Sequence, residues 1–118
     1  MFVVRTSRFA ESLAFYADVL GLDLVEEWTD FGHGAVLAAG GIARIEIIEL
    51  DGATDAAPDA GAFLGLQVTN VDELHERAVG HGSTIASDLQ ERPWGGRGFA
   101  LRDPNGIGVN VYSAYDSR

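Results

Sequence analysis

Apolar residues at the start of the chain follow two periods, one typical of a strand and one typical of a helix. Residues 2–6 alternate as a short strand. The next large apolar residues are spaced by four, three and four positions, which places them on one helical face; they are Phe9, Leu13, Tyr16 and Leu20. Gly21 follows directly, and glycine commonly ends a helix because it accepts a left-handed backbone.

Three more strands are predicted before residue 51. The first runs from Leu22 to the turn near Asp30, the second covers residues 34–39 and the third covers residues 42–50. A Gly-Gly pair separates the last two strands and is typical of a hairpin turn. The first part of the chain therefore has the predicted order strand, helix and three strands.

The same order recurs after residues 51–61, which are small or polar, have no period and are interpreted as a linker. A strand is predicted over residues 62–69, before a helix that begins at Asn70. The acid at Glu73 makes this helix start similar to a capping box. Three strands follow, over residues 83–88, 97–102 and 107–113.

The predicted fold class is α+β. Two βαβββ modules, about residues 1–50 and 62–113, are expected within one domain that spans residues 1–118. Each module should form a curved mixed sheet with its helix on one face. The other, concave face would then line a cavity or meet a partner, as in a homodimer.

The composition limits the class of protein. Eighteen acidic and eight basic residues give a formal net charge of −10 at pH 7. This argues against a nucleic-acid-binding protein, because such proteins neutralise phosphates with Lys and Arg. An acidic cleft would attract a cationic ligand, although the charge can equally serve solubility alone. The chain has no cysteine, no apolar run near the ~20 residues of a membrane span and no signal-peptide pattern. A cytoplasmic protein without membrane partners is therefore expected.

Three segments resemble the motifs of one superfamily. They are SLAFYADVLGL at residues 12–22, VTNVDEL at residues 68–74 and WGGRGFALRDPNG at residues 94–106. Their order and spacing resemble those of the vicinal-oxygen-chelate superfamily, which includes glyoxalase I, extradiol dioxygenases and bleomycin-resistance proteins. The third segment is most similar to the bleomycin-resistance branch. The resemblance implies two βαβββ modules and a small-molecule site.

Enzymes of this superfamily hold a divalent metal with His, Gln and Glu side chains on the first and last strands of each module. By offset from the motifs, the resemblance implies that three ligand positions hold Met1, Phe63 and Asn110, and that the fourth holds Glu46 or Glu49. Met and Phe do not bind hard divalent ions, and Asn is a weak neutral donor. We therefore expect no metal and no cofactor, as in the branch that sequesters antibiotics.

Aromatic side chains are the candidates for lining such a site. Trp94, beside Pro93 and two glycines, either stacks on a ligand or closes a dimer interface. Trp28 and Phe31 either cover a pocket or pack within their hairpin. The other apolar candidates are Phe63, Phe99 and Tyr112. The alternation around Phe99 leaves open which neighbouring residues face inward.

Polar candidates are fewer. If the isoleucine face of the fourth strand packs on the helix, Arg44 and Glu46 point to the concave face, where they either pair with each other or leave Glu46 for a cationic or hydroxyl-bearing ligand. Asn110 shares a strand face with Tyr112, opposite two valines that should be core. His33 lies between two glycines and either contacts a ligand or is only solvated.

Together with these residues, the resemblance implies a metal-free, homodimeric binding protein without catalytic residues. It would sequester an aromatic antibiotic, such as a bleomycin-like natural product. The net negative charge of the chain is compatible with a cationic ligand. The alternative is a glyoxalase- or dioxygenase-like lyase or isomerase, in which His33 or Glu46 acts as a base. Nucleophilic catalysis has little support, because the chain lacks both cysteine and a Gly-x-Ser-x-Gly motif.

Overall fold

The computed structural model describes residues 1–30, 32–50, 63–91 and 96–113, with Leu50 described in its backbone only. The chain divides into two compact units, Met1–Ala57 and Pro58–Arg118. The predicted linker and two candidate site residues, Phe31 and Trp94, lie outside the described residues. No helix within the described ranges is long and apolar enough to cross a membrane.

The first unit has one helical segment and a four-stranded sheet. Its elements are β1 (Phe2–Arg5), α1 (Phe9–Ala14) continuing as a π-helix (Phe15–Val19), β2 (Asp23–Trp28), β3 (Gly32–Ala38) and β4 (Arg44–Leu50). The strand order is β1-β4-β3-β2. β1 is parallel to β4, whereas the other neighbours are antiparallel. The hairpin predicted between β3 and β4 is confirmed, with positive φ angles of 105° and 52° at Gly40 and Gly41.

The second unit repeats this arrangement. Its elements are β5 (Leu64–Val68), α2 (Val71–Gly80), β6 (Thr84–Glu91), β7 (Arg97–Arg102) and β8 (Gly108–Ser113). The strand order is β5-β8-β7-β6, and β5 is parallel to β8. The α+β class and the repeated βαβββ order predicted from the sequence are therefore confirmed.

The first helix differs from the regular helix that the spacing predicts. The backbone N–H of Leu20 donates to the carbonyl of Phe15, five residues earlier, at 3.0 Å, which is the bond of a π-turn. The wider turn changes the buried face, so that Phe15 and Val19 become core residues and Leu13 is only half-buried. Gly21, at a φ of 73°, ends the segment as expected.

The capping box expected at α2 also differs in detail. Asn70 precedes the helix but its side chain makes no bond to the helical backbone. Its amide instead donates to the Glu73 carboxylate at 3.2 Å, and the same carboxylate accepts from Arg77 at 3.2 Å. Contacts among the side chains of Asn70, Glu73 and Arg77 therefore stabilise the start of the helix.

Each helix covers one face of the sheet in its own unit. On β3 and β4, Leu37, Ile45 and Ile47 are at most 1% exposed beneath α1. In the second unit, the edge-to-face contact between Phe99 of β7 and His75 of α2 marks the covered face. We call the opposite, helix-free side of each sheet its open face.

Candidate functional site: the open faces of the two sheets

The open face of the first unit presents alternate residues of β4. Ile45 and Ile47 are buried under the helix, so Arg44, Glu46 and Ile48 point to the other side. This confirms the orientation expected from the alternation. Glu46 is half-buried and lies in register between Val3 of β1 and Val36 of β3.

Arg44 does not neutralise Glu46. Its guanidinium donates to the backbone carbonyls of Gly41 at 3.1 Å and Ala43 at 2.8 Å, both in the preceding turn. Within the described ranges, no hydrogen bond or ion pair engages the Glu46 carboxylate. The sequence left open whether Arg44 and Glu46 pair with each other. They do not, and the half-buried Glu46 carboxylate is left accessible as an acceptor.

Trp28 lies on the same open face, at the end of β2. Its register partner on β3 is Gly34. A β-carbon placed on Gly34 would overlap the Cε2 and Cζ2 atoms of the indole, so the ring lies directly against the backbone of β3. Ile48 is the β4 neighbour of Gly34 and adds an aliphatic side chain beside the aromatic one.

The open face of the second unit carries Asn110 and Tyr112. The valines that alternate with them on β8 are at most 1% exposed, which confirms the expected orientation. Tyr112 is 38% exposed, and its Cε1 atom lies 3.6 Å from the position that a β-carbon on Gly65 would take. Phe63, just before β5, is 64% exposed. Its Cβ atom lies 3.4 Å from the position that a β-carbon on Gly108 would take.

Phe99 has to be removed from the predicted lining of this surface. It is fully buried on the covered side, and its ring meets His75 of α2 at a centroid distance of 5.1 Å and an angle of 79°. The turn at Asp103–Gly106 fixes the register that pairs Phe99 with Val111 and Leu101 with Val109. Since those valines were assigned to the core, the sequence held the signal that assigns Phe99 to it too.

His33 lies on the covered face of the first unit rather than beside Glu46. Its ring stacks on Phe9 of α1 at a centroid distance of 3.7 Å and an angle of 19°. Its Nε2 atom is 2.9 Å from the Glu27 carboxylate, and the side chain is 40% exposed. The structure thus places His33 on the opposite face of the sheet from Trp28 and Glu46, and a ligand role for it would concern a different surface.

The sequence matches a known protein family over most of its length. The sequence model of the Glyoxalase/Bleomycin resistance protein/Dioxygenase superfamily matches residues 1–111. The chain belongs to this superfamily. A search among curated proteins returned no match.

Solved structures agree with the superfamily in fold. A glyoxylase/bleomycin resistance protein/dioxygenase domain from Frankia sp. EAN1pec has a TM-score of 0.79 at 24% identity, over 99% of this chain and 92% of the other. TioX from Micromonospora sp. ML1 has a TM-score of 0.72 at 24% identity, over 95% and 96%. TnmS3, described as an antibiotic binding protein from Streptomyces sp. CB03234, has a TM-score of 0.69 at 24% identity, over 95% and 91%.

The residues that the superfamily resemblance places at the metal positions do not fit a metal. Glu49 is directed to the covered side, where it accepts the backbone N–H of Phe9 at 3.1 Å, a role that the sequence did not reveal. Among the residues at the four implied positions (Met1, Glu46, Phe63 and Asn110), Glu46 alone then carries a carboxylate. In the described ranges, no group of three or more His, Asp or Glu side chains is arranged to hold an ion.

Polar groups on the covered side of the second unit pair with one another. Arg97 donates to Asp72 at 2.8 and 3.2 Å and to Glu91 at 3.3 Å, and these bonds raise the pKa of its guanidinium. The Asp88 carboxylate accepts the Leu89 backbone N–H at 2.8 Å and lies 2.8 Å from His75; both contacts lower its pKa.

Some polar groups on the open faces make no such bonds. Four half-buried or partly exposed polar groups on them make no hydrogen bond to any described residue; they are the Glu46 carboxylate, the Trp28 indole N–H, the Asn110 amide and the Tyr112 hydroxyl. The first unit thus offers a carboxylate, an indole N–H and an aromatic ring to a ligand, and the second offers an amide, a hydroxyl and an aromatic ring.

Proposed function

We propose that this superfamily member is a metal-free binding protein that sequesters an aromatic antibiotic on the open faces of its sheets. The observation that carries the proposal is the contrast between covered and open faces. Arg97 and Asp88 on the helix side of the second sheet are paired, whereas the Glu46 carboxylate and the Asn110 amide on the open faces make no hydrogen bond to a described residue. An apolar surface with a few available polar groups is the usual chemistry of a small-molecule site.

The metal positions support binding rather than metal-dependent chemistry. Phe63 and Met1 stand where the resemblance implies ligands, and both are exposed, at 64% and 75%. The description of TnmS3 as an antibiotic binding protein supports the same class of ligand. Assignment to the bleomycin-resistance branch is part of this proposal.

A homodimer is also proposed. The exposed apolar side chains at the outer strands β1 and β5, Val3 at 48% and Phe63 at 64%, would lose water contact if a second copy covered them. Analytical ultracentrifugation at micromolar concentration is expected to give twice the 12.6 kDa mass of one chain. A single 12.6 kDa species at millimolar concentration would exclude the dimer.

Binding is tested by calorimetry with three probes: bleomycin, doxorubicin as a cationic multi-ring aromatic, and anthraquinone-2-sulfonate as an anionic one. A ligand at 100 times its Kd adds about 2.7 kcal/mol to stability, so thermal unfolding provides a second measurement. If none of the probes binds or stabilises the protein, sequestration of aromatic antibiotics is excluded for these classes.

The Glu46→Gln variant tests how the open face of the first unit contributes. It keeps the size of the side chain and removes its charge. Charge-assisted hydrogen bonds exceed neutral ones by roughly 1 kcal/mol, so the affinity for the cationic probes should fall about 5-fold, while that for the anionic probe should not fall. Glu76→Gln is the matched control, because Glu76 is exposed on α2 and the net charge changes equally. Equal losses in both variants would assign the effect to overall charge and contradict a contact at Glu46.

A further inference from the structure

The contact between Trp28 and Gly34 requires that position 34 carries no side chain. A β-carbon on Gly34 would overlap two carbons of the indole and lie 2.6 Å from its Nε1 atom. Such distances force the ring to move, because carbon atoms in contact keep about 3.5–4.0 Å apart. Every residue other than glycine at position 34 would therefore displace Trp28.

The backbone gives no reason for glycine at this position. Gly34 is not among the glycines with a positive φ, so an L-residue could adopt its conformation. Gly65 differs, because its β-carbon would be at an ordinary 3.6 Å from the Tyr112 ring, and alanine would fit there. Among the described residues, the Trp28 ring is thus the physical reason why position 34 has to be glycine.

We propose that Gly34 is a specificity-determining residue that positions Trp28 for a multi-ring ligand. The inference deepens the proposed function and rests on it. With glycine at 34, the indole lies against β3 beside Ile48, and Val36 follows on the same strand. A ligand of several fused rings can cover the indole and these aliphatic side chains together. A side chain at position 34 lifts the ring and separates the two parts of that surface.

The smaller the ligand, the less this separation matters. A ligand with one ring covers the indole alone and gains nothing from the aliphatic side chains next to it. Substitution of Gly34 should therefore reduce affinity for a multi-ring cation more than for a single-ring cation. The charge of both probes is the same, so any contribution of Glu46 cancels in the comparison.

The positioning role is tested without ligand. In a Trp94→Phe background, Trp28 is the one remaining tryptophan of the two in the chain. Gly34→Ala is expected to shift its emission maximum and change its quenching by acrylamide, while Gly65→Ala, the matched control on the other open face, leaves both unchanged. A folded Gly34→Ala protein with unchanged emission and quenching would overturn the positioning role.

The specificity role is tested by calorimetry with doxorubicin, which has four fused rings, and benzamidine, which has one. Gly34→Ala should weaken doxorubicin at least 10-fold and benzamidine less than 3-fold. In a Trp28→Ala background the same substitution should have no further effect, since coupling requires both partners. Gly80→Ala, on α2 with no atom within 4 Å of the added carbon, should bind both probes like the wild type.

The outcomes separate the two proposals. Equal losses for both probes, or an undiminished loss in the Trp28→Ala background, would overturn the specificity role and leave binding intact. If the wild-type protein binds neither doxorubicin nor benzamidine, the proposed function is overturned for these cations, and the specificity role with it. The ligand-free spectra would still decide whether Gly34 positions Trp28.

Discussion

Replacement of Phe99 by alanine distinguishes a core residue from a ligand-site residue. The side chain is fully buried, with its ring edge-on to His75. Removal of a buried Phe side chain costs about 3–5 kcal/mol, because apolar burial is lost and a cavity remains. A chain of 118 residues has an unfolding entropy of roughly 0.25 kcal/mol/K. We therefore expect the midpoint of thermal unfolding to fall by about 12–20 °C.

The assay is urea and thermal unfolding followed by circular dichroism. Tyr112→Ala is the comparison, because this aromatic residue lies on the open face of the neighbouring strand and is 38% exposed. It should lose less than about 2 kcal/mol, since only part of its ring is withdrawn from water. A loss below about 1 kcal/mol for Phe99→Ala, or a larger loss for Tyr112→Ala, would refute the assignment of the two faces.

Three further predictions concern local structure. Glu49→Ala should reduce the free energy of unfolding by about 1 kcal/mol, because the Phe9 N–H loses its acceptor; urea denaturation measures this, and no change would show that the bond contributes nothing. The pKa of Asp88 is lowered in the folded protein, first by the following backbone N–H and then by His75. Its contribution is present above the unfolded pKa of about 3.9 and is lost as the pH falls through the lower folded value. Unfolding measured from pH 5 to pH 2 should therefore show a weaker acid dependence for Asp88→Asn, and identical curves would contradict the pairing. Gly41→Ala should destabilise the protein by about 1–2 kcal/mol, because an L-residue is strained at a φ of 52°, whereas Gly41→Asn should cost less; equal stability of all three proteins in urea would exclude this strain.

The sequence predicted the fold where the signal is local. Period-two alternation assigned Ile45 and Val109 to the core because neighbouring residues of a strand always point to opposite faces. The inserted residue of the π-turn at Leu20 escaped prediction, since apolar spacings of three and four fit a regular helix as well. The two glycine neighbours of His33 are typical of a loop, whereas pairing with Glu49 of β4 makes it part of a strand.

The candidate site was predictable to the same degree. Glu46, Asn110 and Tyr112 have the expected orientation, because each alternates with buried aliphatic residues. The dependence of Trp28 on Gly34 was not predictable, because it requires the register between β2 and β3, which shifts between Leu24 and Glu26. A shift of this kind leaves no mark in the alternation of a single strand.

The parallel pairing of β1 with β4 has a consequence for how the first unit forms. Phe2 is the register partner of Ile45, so this contact closes a long stretch of chain, while β2, β3 and β4 are joined by short antiparallel connections. Contacts between distant residues form late, because their chain entropy is lost before they stabilise anything. We expect the three-stranded meander to assemble early and the N-terminal strand to dock in the final kinetic phase. Substitutions in β1 should accordingly accelerate unfolding more than they slow refolding.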